Sequence, residues 1–463
     1  MRDRSYNAVM ARKNEIMKAA IGLDYGSFES GSIAFDYEGM MAATGYTLET
    51  VQDIQREFGI GNSPLIELKN ITALARSIAP KNKGARIFVK DEAANLSGSF
   101  KVRRAATSVY HAKRMGYKGV VTATSGNYGA AVAACAAKAG LKCIVVQECF
   151  DSRGIGQPEI IEKARKCEAL GAEVVQLTVG PELFYVFLLL LEDTGYFNAS
   201  LYTPFAIAGI ETLGAEIARQ FDEQVGRAPD VVVCTNAGGG NLTGTARGLK
   251  KAGCKASVIA ASVNLKGLHM ASDTQFNLKS FTTGHTGFGM PFSTFPDRSD
   301  VPKSAARPLR YMDDYVTVNQ GEVFFITEAL AVLEGMEKGP AGNTSLAAAF
   351  SLAQDMNEDE CIVVQETEYT GAGKHINAQL SFARNNGIDI RFGDPSEEVA
   401  GKSIILPRHP SLICARHADM EHLRASLIHN ALKLIDGEPT AEDIKFLAEE
   451  TKTDIEFVKE HLK

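Results

Sequence analysis

Lys90-Asp-Glu-Ala-Ala-Asn-Leu-Ser-Gly-Ser-Phe-Lys101 decides how the rest of the chain is read. Residues 85–90, which lead into it, are strand-like, its middle is small and polar, and residues 102–115 beyond it carry helical periodicity. Alone, a lysine is ordinarily a solvated surface charge. At a strand-loop-helix junction it becomes a candidate amine nucleophile, which is what Schiff-base chemistry requires.

Outward from that stretch the same rhythm repeats. Near-continuous apolar runs at 119–123, 143–147, 173–178, 231–234, 257–261 and 361–365 predict strands covered on both faces. Between them, 127–139, 159–170, 211–224, 241–252 and 344–356 predict helices. The alternation predicts an α/β protein with mainly parallel sheet, too many strands for one small sheet, and a ligand in the cleft between two α/β domains. The expected division is a large domain of 61–104 and 205–400, a small one of 105–204, an N-terminal extension of 1–60 and a helical extension of 401–463. Within the last, helices are predicted at 417–435 and 441–462. The extensions read as packed appendages or as a surface for another subunit. Residues 264–310 have little periodicity and many Gly, Pro, Ser and Thr, and read as an ordered excursion near the site.

Composition narrows the function classes. The 463 residues carry a net charge of −7 and no long basic run, which argues against nucleic acid. Eight cysteines without a Cys-x-x-Cys pair form neither a disulfide framework nor a zinc site. The longest apolar run, 184–191, is too short to span a bilayer, and no signal-peptide pattern opens the chain, so a cytoplasmic location is expected.

Three further loops follow strands. Thr124-Ser-Gly-Asn-Tyr-Gly129 opens an alanine-rich helix. It reads as a capped turn, or as a site where Ser125, Gly126, Asn127 and Tyr128 hold a substrate carboxylate, with Asn127 able to donate to a phenolate oxygen. Thr235-Asn-Ala-Gly-Gly-Gly-Asn-Leu-Thr243 lets the backbone approach an anion closely. With no Lys or Arg inside the loop, its amides are expected to do most of that binding. The Gly-Lys-Ser/Thr ending of a Walker loop is absent, and the Rossmann pattern fails at Thr243. Glu366-Thr-Glu-Tyr-Thr-Gly-Ala-Gly-Lys-His375 could place a Thr hydroxyl beneath a ring nitrogen, or be ordinary turn chemistry. His285 and His375 receive no role. Taken in order, the four segments point to pyridoxal phosphate.

At these residues, from Asn62-Ser-Pro-Leu65 to Gly373, the chain resembles the fold-type II pyridoxal-phosphate enzymes, the group of tryptophan synthase β, cysteine synthase and threonine synthase. The resemblance implies that Lys101 bonds the cofactor and that Asn127 contacts its 3-oxygen. It implies further that Ala237, Gly238, Gly239, Gly240 and Asn241 hold its phosphate and that Thr370 partners the ring nitrogen. One departure from that group is Ala237, where the loop usually starts with glycine; a second, from the closer family described next, is Val102 where aspartate is expected after the lysine.

Arg4-Ser-Tyr-Asn-Ala-Val-Met10, Ile155-Gly-Gln-Pro-Glu-Ile160, Tyr202-Thr-Pro-Phe205 and residues 237–247 are more specific. They resemble the β-subunit family of 2-amino-4-oxopentanoate thiolases, of ornithine fermentation. That resemblance implies coenzyme A-dependent cleavage of 2-amino-4-oxopentanoate to acetyl-CoA and alanine, a small α subunit as partner, and a homodimer of this chain within the complex. Threonine synthase-like or ammonia-lyase β- or γ-elimination and replacement share all four motifs, and a non-catalytic pyridoxal-binding subunit is a third reading.

Overall fold

A computed structural model describes residues 2–124, 126–150, 154–156, 158–180, 182–265, 300–369 and 376–462. Its largest element is a seven-stranded sheet in the order Arg416–His417, Asp314–Val318, Ser257–Val263, Val231–Thr235, Cys361–Glu366, Arg86–Asp91, Leu65–Glu67. The five inner strands are parallel, and the two edge strands pair antiparallel. A second sheet, Glu173–Thr178, Lys142–Phe150, Gly119–Thr124, Phe197–Asn198, is parallel throughout. The predicted α/β fold with parallel sheets is therefore present.

Alternation explains why the inner strands read as unbroken apolar runs. On one face Phe88, Val232, Cys234, Ala260 and Val363 enter the main core, which also takes in residues of the helices Pro204–Val225 and Gly240–Lys251. On the other face Ile87, Val89, Val233, Ala261, Ile362 and Val364 pack with residues of the helices Lys69–Ile78, Gln320–Glu334 and Asn343–Ala353. Both faces are dry, as a parallel sheet requires.

The boundaries differ most where a helix is buried all round. The helix expected at 211–224 begins at Pro204, with the Thr203 hydroxyl capping the Ala206 amide at 3.2 Å and proline in the first turn. Its first turns lack a polar face, so periodicity could not mark them. The segment expected at 441–462 divides into Ala441–Thr451 and Ile455–Glu460, broken at Lys452 in the left-handed region (φ 54°).

Both ends of the chain pack onto the body. The Asp443 carboxylate accepts from the amides of Ser32, Ile33 and Ala34 at 2.8–3.0 Å, and Glu450 accepts from Arg310 at 2.9 Å. Val9, Ile16 and Met17 share a core with the helix Glu182–Thr194. Among the described residues no helix is long and apolar enough to cross a membrane. Of the excursion at 264–310, residues 266–299 lie outside the described residues.

Candidate active site

Three of the four motifs leave adjacent parallel strands at one level. Gln365 pairs with Lys90 and Glu366 with Asp91. Val364 pairs with Val233, which two residues further on sets Thr235 level with Glu366. The fourth leaves the small sheet at Thr124. All four are carboxyl ends of strands, where open α/β sheets bind ligands.

Lys101 is the first residue of the helix Lys101–Arg114 and is half-buried, its Nζ 5.7 Å from the Phe100 ring centroid. The loop before it is stitched to the neighbouring strand end. The Phe100 amide donates to the Thr367 carbonyl (3.0 Å) and the Tyr369 amide to that of Gly98 (2.7 Å). Lys166 reaches across from the small sheet's helix Pro158–Ala169 to the Ser97 carbonyl (2.8 Å).

Beneath the loop lies a dry, charge-balanced cluster. Arg103 forks onto Glu92 (2.7 and 2.8 Å) and onto Glu216 (2.9 and 2.8 Å). Lys90 adds a contact to Glu216 (3.0 Å) and donates to the Ser63 carbonyl (2.6 Å). Burial pushes the Glu216 carboxyl up, but Arg103 and Lys90 outweigh it and hold the group down at about 2. Val102, the departure noted above, is fully buried in the main core.

The glycine loop is cut to shape. Gly239 has φ 79°, the left-handed region that favours glycine, and a Cβ on Gly240 would collide with the guanidinium of Arg104. By helix geometry the amides at the start of Gly240–Lys251 have no intrahelical acceptor. Asn241 spends its amide nitrogen on Gln365 Oε1 (2.6 Å) and leaves its buried Oδ1 without a partner. Asn236, 3% exposed, has neither side-chain polar atom satisfied. Around the same strand ends the buried Glu366 Oε1, Asn343 Oδ1 and Thr344 Oγ1 are also unmatched. Buried polar atoms are normally paired. The loop's open amides and the lysine suit an anion, and the unmatched side-chain atoms, mostly acceptors, suit a polar ligand that brings donors of its own.

At the carboxyl end of the small sheet's strand Gly119–Thr124, Thr124 Oγ1 accepts from the amides of Gly126 (2.9 Å) and Gly129 (3.2 Å), so a capped turn is formed. Asn127 begins the helix Asn127–Ala139 and is buried, as is Tyr128. The Tyr128 ring lies 5.9 Å from the Arg104 guanidinium, which links this loop to the glycine loop. Ala237 and Gly238 are half-buried. Ser125, Thr370, His285 and His375 lie outside the described residues.

Sequence reading missed Arg104, Asn236 and Glu366 as site residues. Asn236 and Glu366 lie inside the loop motifs, but only tertiary burial reveals that both side-chain polar atoms of Asn236 and Oε1 of Glu366 are unmatched. Burial first, and then the neighbouring Glu368 carboxylate, hold the Glu366 carboxyl well above the usual carboxylate range. A raised carboxyl binds its proton in the folded state over a pH range where the unfolded chain has released it, so stability falls as pH rises above the ordinary carboxylate range. Denaturant midpoints of Glu366→Gln and the parent should therefore lie closest at pH 5 and diverge in favour of the variant at pH 7 and 9. Parallel midpoints would refute a raised Glu366 carboxyl.

A family model described as pyridoxal-phosphate dependent enzyme matches residues 56–368. The 2-amino-4-ketopentanoate thiolase beta subunit of Acetoanaerobium sticklandii is 72% identical over 463 residues, covering 100% of this chain and 99% of that protein. A protein of the same name from an unknown prokaryotic organism is 64% identical over 459 residues, covering 99% and 97%. Among solved structures, a threonine deaminase from T.th. superposes with a TM-score of 0.55 at 22% identity, covering 70% of this chain and 98% of that one. That last likeness speaks for the fold alone.

Proposed function

Because the chain belongs to the pyridoxal-phosphate dependent enzymes, and within them to the 2-amino-4-ketopentanoate thiolase beta subunits, we propose that it catalyses the coenzyme A-dependent cleavage of 2-amino-4-oxopentanoate to acetyl-CoA and alanine. The observation that carries this reading is identity of 72% sustained over the whole chain, terminal extensions included. The setting is ornithine degradation in the cytoplasm, with a small α subunit as partner and this chain as a homodimer in the complex.

The cofactor is pyridoxal phosphate, which supplies an electron sink for negative charge developing next to the amino carbon. We assign Lys101 as the residue that anchors it and then takes and returns the proton at C2. When the cofactor is bound, Ala237 through Asn241 would hold its phosphate by backbone amides, Asn127 would serve its 3-oxygen and Thr370 its ring nitrogen. Ser125, Gly126, Asn127 and Tyr128 hold the substrate carboxylate. The thiolate of coenzyme A attacks the C4 carbonyl, the C3–C4 bond breaks, and the acetyl group leaves on sulfur. The electron pair stays on C3, which gains the proton the thiol lost.

Supplying the purified chain and its α partner with 2-amino-4-oxopentanoate and coenzyme A should yield acetyl-CoA and alanine in equal amounts. No acetyl-CoA with both subunits present, together with turnover of a β- or γ-substituted amino acid, would replace thiolysis by elimination or replacement chemistry.

A further inference from the structure

Arg104 is out of place electrostatically. It is 2% exposed, yet among the described residues it makes no salt bridge. Its NH2 donates to the Leu201 carbonyl, its Nε has no partner, and its other neighbours are the rings of Tyr128 (5.9 Å) and Tyr202 (5.6 Å). The adjacent Arg103, equally buried, is surrounded by Glu92 and Glu216, so the contrast lies in the partners and not in the depth. An isolated buried cation is costly unless an anion meets it.

The fold shows where that anion belongs. Arg104 sits one turn beyond Lys101 on the same helix, so the two side chains share a face. The guanidinium lies where a Cβ on Gly240 would be, at the start of the 12-residue helix Gly240–Lys251, while the Tyr202 hydroxyl occupies the corresponding place over Gly238. The loop's amides and a helix N-terminus already favour negative charge there. We infer that Arg104 is the side-chain cation of the anion site on the Gly238–Asn241 loop, pairing with the phosphate group of the cofactor. The loop has no cation of its own in sequence; the helix that carries Lys101 delivers one. A planar fork suits a phosphate.

This inference rests on the cofactor assignment proposed above, and the test separates the two. Apoprotein is titrated with pyridoxal phosphate and with pyridoxal, which lacks the phosphate, and the ratio of dissociation constants is compared among parent, Arg104→Gln and Arg104→Lys. A lost charge-assisted contact corresponds to roughly 10–100-fold. Arg104→Gln should weaken pyridoxal phosphate by that factor while pyridoxal changes less than about twofold by the same reasoning. Arg104→Lys, which keeps the charge and protects the fold, should show a smaller loss confined to the phosphorylated ligand. A ratio unchanged from the parent in either folded variant, or equal weakening of both ligands, overturns the inference. Failure of the parent itself to bind pyridoxal phosphate would instead strike at the cofactor role of the site.

Discussion

Lys101→Ala protein is expected to fold, to melt where the parent does, and to lose the visible absorption band of lysine-bound cofactor together with catalysis. Folding should survive because Lys101 opens its helix half-buried and alanine is the best helix former. The buried cluster that fixes this helix uses Arg103, Glu92, Glu216 and Lys90, none of which depends on the Lys101 amine. Catalysis should fall by at least roughly 10³-fold, because one residue supplies both the anchor and the proton transfer at C2. Borohydride reduction before proteolysis gives a second readout. The parent should carry cofactor mass on the peptide containing Lys101, and the variant on none. A variant retaining the parent's band would mean that another amine holds the cofactor, and the site would have to be rebuilt around it.

Glu216→Gln should produce the largest loss of stability. Its carboxylate accepts from Arg103 twice and from Lys90 once, all three groups nearly or wholly out of water. Neutralising it leaves two cations facing the single remaining charge of Glu92. Breaking one partner of such a buried set costs about 3–5 kcal/mol, because the others cannot be rehydrated. A change below about 1 kcal/mol in denaturant unfolding, the scale of an exposed pair, would show that the cluster is wet. A depressed carboxyl contributes stability above its unfolded pKa that is lost as pH falls through the folded one. The parent's contribution from Glu216 should therefore fade from the ordinary carboxylate range down to about 2, and the variant should lack that acid limb. Because Glu92 and Arg103 flank Lys101, weaker pyridoxal phosphate binding should accompany the loss.

Much of this molecule was legible in one dimension because its information is local. Parallel strands buried on both faces leave unbroken apolar runs, and every such run from 86–90 to 361–365 became a strand. The chemistry-bearing loops were legible for the same reason: each lies within a few residues of a strand end. Elements without local contrast were not. The first turns of Pro204–Val225 are apolar on every side, and the strand Asp314–Val318 with the helix Gln320–Glu334 follows a stretch with little periodicity.

By itself the sequence determined the α/β class, the strand-loop-helix setting of Lys101 and the glycine loop with its open amides. Each is fixed by side-chain periodicity or by a conformation that glycine permits. Only the tertiary structure decided the electrostatics. Arg103 and Arg104 are neighbours of one residue type, indistinguishable in sequence, yet one is neutralised by Glu92 and Glu216 and the other faces Gly240 without a carboxylate among the described residues. The physical reason is that a buried charge is defined by what is within a few ångströms of it, and those partners come from distant parts of the chain.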